Sequence, residues 1–252
     1  MAARLALFIA LFSALLSDVA PTQDWSHDLA HRRDDVVTSL RRPRPAAVGP
    51  ALPSSDAGAR NRLDQAVEAR AQCWKRLVPE LAVADPEPAI EGPGLCGASD
   101  LVRLQAIRLP SGNRVEMEPA ARIRCGMAEV LAQWVRVDIS PVLSPSEAHL
   151  VRLQVSTAYE CRARNRVENA PMSEHGTGNA IDVRALVFAD GKTVALTDAA
   201  ADKALRSALA TSACARFSTV LGPGSDPYHE DHIHLDLRER RSGLHICQWD
   251  VR

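Results

Sequence analysis

The chain has 252 residues, 46% of them hydrophobic, and a formal net charge of -1. That is enough apolar material for one domain of ordinary size with a real core. The near-neutral balance excludes recognition of nucleic acid through a large basic excess, and no acidic run marks a solvating tail.

Residues 1–20 read as an export signal. Arg4 supplies a positive start, and Leu5 to Leu16 form an apolar run. At about twelve residues the run falls short of the roughly twenty that span a bilayer. The chain is therefore expected in the periplasm or secreted, with no stable membrane insertion after cleavage; an uncleaved N-terminal anchor is the alternative. Residues 21–60 carry Arg32, Arg33, Arg41, Arg42 and Arg44 among several prolines, without sustained apolar periodicity. This composition predicts a disordered linker. A folded domain is expected over residues 61–252.

Leu63 to Leu77 is helix-like and ends at Pro79, and Pro86 to Gly94 reads as a loop. Leu101 to Leu109 alternates as a strand, and Ser111-Gly112-Asn113 turns the chain into a second strand at Val115 and Met117. Met127, Val130, Leu131, Trp134 and Val135 recur at helical spacing and predict a core helix. Val151, Leu153 and Val155 alternate as a half-buried strand. Ile181–Phe188 and Thr193–Leu196, joined through Asp190-Gly191, predict a β-hairpin. A helix is expected over Ala199–Phe217, then strands at Thr219–Leu221 and Ile233–Leu237 around a glycine- and proline-rich turn. The sum is an α+β domain with a mainly antiparallel sheet and flanking helices. Six cysteines, none in a C-x-x-C pair, follow the export signal. An even count there predicts three disulfides, and six cysteines leave 15 pairings open.

Two segments carry chemistry. In the first, His175 is followed seven residues on by Asp182, with Gly176 and Gly178 allowing a sharp turn between them. In the second, His229, His232 and His234 fall within six positions. On a strand, His232, His234 and Asp236 share one face while Ile233 and Leu235 point into the core. Two imidazoles and a carboxylate suit Zn²⁺, and three protein ligands leave a fourth position open. Ser173 and Asp236 are expected to orient ligands by hydrogen bonds. His229 is expected at the surface, with a place lining the cleft as the alternative.

Ser173, His175, Gly178, Ala180 and Asp182 fit the pattern S-x-H-x-x-G-x-A-x-D of the D-Ala-D-Ala and lysostaphin-type (hedgehog-fold) zinc metallopeptidases. Within that superfamily the chain resembles the bacterial extensin-like C-terminal domain proteins, through Arg124 to Trp134, Tyr159 to Arg162, the His175 segment and Thr219 to Asp236. The resemblance implies that His175, Asp182 and His234 hold zinc, that Asp231 or His232 is the catalytic base, and that Arg162, with Arg164 as its substitute, receives a substrate carboxylate. It implies an exported peptidase acting on peptidoglycan stem peptides, as carboxypeptidase or endopeptidase. The alternative is a non-catalytic cell-wall-binding or structural module of the same fold.

Overall fold

The computed structural model describes residues 55–143 and 149–251. The expected export signal (1–20) and most of the expected linker (21–60) lie outside the described residues. Helix α1 (Ser55–Leu77) starts ahead of Asn61 and buries Cys73 and Leu77 in the core. Next come β1 (Ala82–Pro86) and a small antiparallel pair, β2 (Ile90–Glu91) with β3 (Gly97–Ala98), set in the expected loop region. β4 (Leu101–Arg108) and β5 (Arg114–Arg124) form the expected antiparallel pair.

The predicted core helix is α2 (Cys125–Gln133), extended by a π-helical turn (Trp134–Ile139) and a short α3 (Ser140–Leu143). This helical crossover lets β6 (Leu150–Thr157) return parallel to β5, since parallel neighbours need a long connection. β7 (Ala180–Phe188) and β8 (Thr193–Ala195) make the predicted hairpin. Helix α4 (Lys203–Arg216) begins later than the expected Ala199 because Asp202 caps it, accepting the Leu205 N–H at 2.9 Å. Strands β9 (Thr219–Leu221), β10 (Ile233–Asp236) and β11 (Ile246–Gln248) complete the sheet.

The strand order is β1-β4-β5-β6-β7-β10-β9-β11, with β8 sharing one edge of β7 with β10. All pairs are antiparallel except β5–β6 and β9–β11. The fold is α+β with a mainly antiparallel sheet. Its helices pack through Met127, Leu131 and Trp134 onto sheet residues such as Ile123, Leu153 and Ile181. Trp134 meets Phe217 edge-to-face at 5.7 Å and donates its indole N–H to Ser212 Oγ at 2.9 Å, so its polar end is satisfied inside the core.

Three disulfides form, as expected: Cys73–Cys125, Cys96–Cys161 and Cys214–Cys247. They join α1 to α2, the β2–β3 region to the loop after β6, and α4 to β11. Such bonds persist in an oxidising, extracellular environment. Among the described residues no helix is long and apolar enough to cross a membrane.

Candidate metal centre

Alternation along β10 sends Ile233 and Leu235 into the core, both fully buried, and presents His234 and Asp236 on the other face. β10 pairs with β7 so that His234 stands directly opposite Asp182. His175 arrives from a single 3₁₀ turn, Glu174–Thr177, at whose head Ser173 Oγ accepts the His175 N–H at 3.4 Å. Gly178 closes the turn with φ +67°, a left-handed conformation that glycine adopts without strain. A Cβ there would also lie 2.6 Å from a Leu101 methyl.

The turn and the two strands bring three atoms together. His175 Nε2 lies 3.1 Å from Asp182 Oδ1 and 3.1 Å from His234 Nδ1, and His234 Nδ1 lies 2.9 Å from Asp182 Oδ1. Each histidine uses its other nitrogen elsewhere. His175 Nδ1–H donates to the Ala158 carbonyl at 2.7 Å, and His234 Nε2–H donates to Asp236 Oδ2 at 3.1 Å. With both imidazoles neutral, the nitrogens turned toward each other are thus lone-pair acceptors, as is the carboxylate oxygen, and either a proton or a metal ion relieves the conflict. Three converging acceptors repel unless a cation lies among them. Ligands about 2.1 Å from a tetrahedral ion sit about 3.4 Å apart, so this triangle suits a metal after an outward shift of a few tenths of an ångström. His175, Asp182 and His234 form a buried cluster that could hold an ion, and Ala158 and Asp236 orient its imidazoles as outer partners of metal-bound histidines do.

The electrostatics agree. Burial opposes charge on Asp182, yet the hydrogen bonds and positive character of His175 and His234 hold its carboxyl well below the usual range. Burial likewise disfavours a cationic His234, but Asp182 and Asp236 outweigh it and raise this imidazole to about 9. The pocket is built for positive charge.

His232 sits beside the cluster, with Nε2 3.6 Å from Asp182 Oδ2, and its Nδ1–H donates to Asp231 Oδ1 at 2.8 Å. Asp231 itself is 64% exposed and also pairs with Arg184. The His232 hydrogen bond, with help from Arg184, keeps its carboxyl below the ordinary range. Arg162 lines the cleft in front of the cluster and is held by Glu160 at 2.9 Å, a carboxylate shared with Arg166.

His229 departs from expectation: it is 7% exposed, not on the surface. Its ring lies 5.3 Å from that of His232 and 5.6 Å from that of His234, and Asp226 holds its Nδ1 at 2.7 Å. Burial pushes its pKa down, against the opposing pull of Asp226. The Asp226-x-x-His229 spacing was the available signal, a carboxylate three residues ahead that can satisfy a buried imidazole. His175, His229 and His234 all open onto one cleft of about 250 Å³ that runs over Thr219 and Leu221 to Ile246 and Gln248.

Fold and site together define an α+β protein, cross-linked by disulfides, with a buried His–Asp–His cluster at the head of a cleft. The chain belongs to the family described as Extensin-like protein C-terminus, whose profile matches residues 71–248. Neither curated proteins nor solved structures gave a match.

Proposed function

We propose that this protein is an exported zinc-dependent peptidase, of the hedgehog-type metallopeptidase fold, that cleaves peptidoglycan stem peptides as a carboxypeptidase or endopeptidase. One observation carries the reading: three lone-pair acceptors, from His175, Asp182 and His234, converge at the head of an open cleft with both imidazole tautomers fixed from behind. The apolar run from Leu5 to Leu16 behind Arg4 and the three disulfides support a location outside the cytoplasm.

Zinc held by these three residues would polarise a scissile carbonyl and bring the pKa of water to about 7. The remaining steps belong to the chain. His232 faces the cluster through Nε2 because Asp231 holds its Nδ1–H. It takes a proton from the attacking water and returns it to the leaving amine. Asp231 acts through His232, since its carboxylate is exposed and engaged by Arg184. Arg162, braced by Glu160, presents a guanidinium to the substrate's carboxylate.

Metal analysis of purified protein and digestion of isolated peptidoglycan test the reading together. His175→Ala should abolish both bound zinc and release of muropeptide fragments; cleavage that survives this change refutes the assignment. The exposure of Asp231 favours a second reading, a non-catalytic wall-binding module with a structural zinc. Stoichiometric zinc without turnover of any wall fragment would establish that instead.

A further inference from the structure

The floor of the cleft is made of two cross-strand rows. His234, Leu221 and Gln248 are register partners across β10, β9 and β11, and Asp236, Thr219 and Ile246 form the adjacent row. Four arginines line the same cleft: Arg162, Arg164, Arg238 and Arg240. Two of them face carboxylates, Arg162 at Glu160 and Arg238 at 4.0 Å from Glu174. The other two do not. Arg240 bonds only neutral oxygens, donating to Thr219 Oγ1 at 2.7 Å, the Ser218 carbonyl at 3.0 Å and the Leu244 carbonyl at 3.5 Å. Among the described residues neither Arg240 nor Arg164 is ion-paired.

A half-buried guanidinium pinned to the cleft floor by neutral acceptors keeps its full charge and has lost much of its freedom, so it is prepared for an anion. We infer that Arg240, with Arg164, forms a subsite for a carboxylate carried by the bound peptide, separate from the position served by Arg162. The register sets its distance. Thr219 lies one strand over from Asp236, and Asp236 lies two residues along from His234. With strands about 4.8 Å apart and about 3.3 Å per residue, the anion sits on the order of 8 Å from the ligand cluster. An extended peptide covers that distance in about two residues. The ligand is therefore an acidic peptide whose side-chain or terminal carboxylate lies about two residues from the carbonyl at the cluster. The inference deepens the peptidase reading and rests on it for what occupies the cluster.

The test is calorimetric binding to the full-length protein, loaded with zinc, of acetyl-Ala-Ala-Glu-amide and of its neutral twin acetyl-Ala-Ala-Gln-amide. Inorganic phosphate serves as a third probe, and metal content is measured on the same samples. The acidic peptide should bind about tenfold more tightly than the neutral one. Arg240→Gln should reduce that preference to about twofold or less while leaving zinc stoichiometry unchanged. Arg164→Gln, which breaks no side-chain hydrogen bond among the described residues, should lower it as well, and so guards against a folding artefact at Arg240. Equal affinity for the two peptides, undiminished preference in both variants, or no saturable binding at about 10 mM peptide would overturn the subsite. Arg240-dependent phosphate binding tighter than that of the acidic peptide would overturn the carboxylate. Absence of zinc from a protein that still discriminates the peptides would defeat the peptidase reading alone.

Discussion

His234 and Asp236, two residues apart on β10, meet with Nε2 3.1 Å from Oδ2. The contact decides which imidazole nitrogen of His234 is left for an ion. Asp236→Asn should weaken metal binding about ten- to hundredfold without altering the circular dichroism of the fold. Competition against a chromophoric chelator measures it, and an unchanged affinity would deny Asp236 that orienting role.

The raised pKa of His234 makes the stability of metal-free protein depend on pH. Its folded value of about 9 lies above that of an unfolded imidazole, near 6.5. The folded state therefore binds more protons between these values. The stabilisation is complete below about pH 6.5 and disappears as pH rises through about 9. Denaturant unfolding in chelator should show a loss of order 3 kcal/mol across that window, and His234→Ala should flatten it. Asp182 works in the opposite sense: its contribution is present above the ordinary carboxylate range and is lost as pH falls well below it.

His232→Ala should leave bound metal in place and reduce muropeptide hydrolysis by about 10²- to 10⁴-fold, the span of general acid–base catalysis. Asp231→Asn should have a milder effect on turnover, because the carboxylate acts through the Nδ1–H it holds at 2.8 Å. Steady-state rates with metal content measured in parallel separate the two. Equal losses in both variants would make Asp231 itself the base.

The Cys96–Cys161 bond spans 65 residues and ties the β2–β3 region to the loop that carries Arg162. It also lies against the His175 turn, where a Cβ on Gly176 would come within 3.2 Å of Cys96 Sγ. Replacing both cysteines by serine should cost about 4 kcal/mol in the chain-entropy account and weaken metal binding at His175. Thermal unfolding and chelator competition report the two effects separately.

The cluster of His175, Asp182 and His234 was legible because each of its residues rests on a local pattern. Gly178 punctuates the turn after His175, Asp182 opens a hairpin announced by Asp190-Gly191, and alternation in β10 puts His234 opposite the core residues Ile233 and Leu235. The far side of the cleft was not legible. β11 is three residues long, too short for any periodicity, and is placed by parallel pairing with β9 and by Cys214–Cys247, both long-range relations. Arg240 gains its setting from Ser218 and Thr219, about twenty residues away in the chain. His229 looked exposed between Tyr228 and Glu230; its burial depends on Asp226, whose hydrogen bond offsets the cost of removing an imidazole from water.

Asp182 and His234 are directly paired residues of neighbouring antiparallel strands. Their backbones are held by the same ladder that holds the sheet, at the roughly 5 Å that such pairing dictates. Parting them would mean unzipping β7 from β10 and exposing Ile181, Ile233 and Leu235 to water. An arriving ion therefore has only the His175 turn left to settle. Two of the three residues that could hold it are as rigid as the architecture itself, so loading and emptying the cluster would leave the domain around it undisturbed.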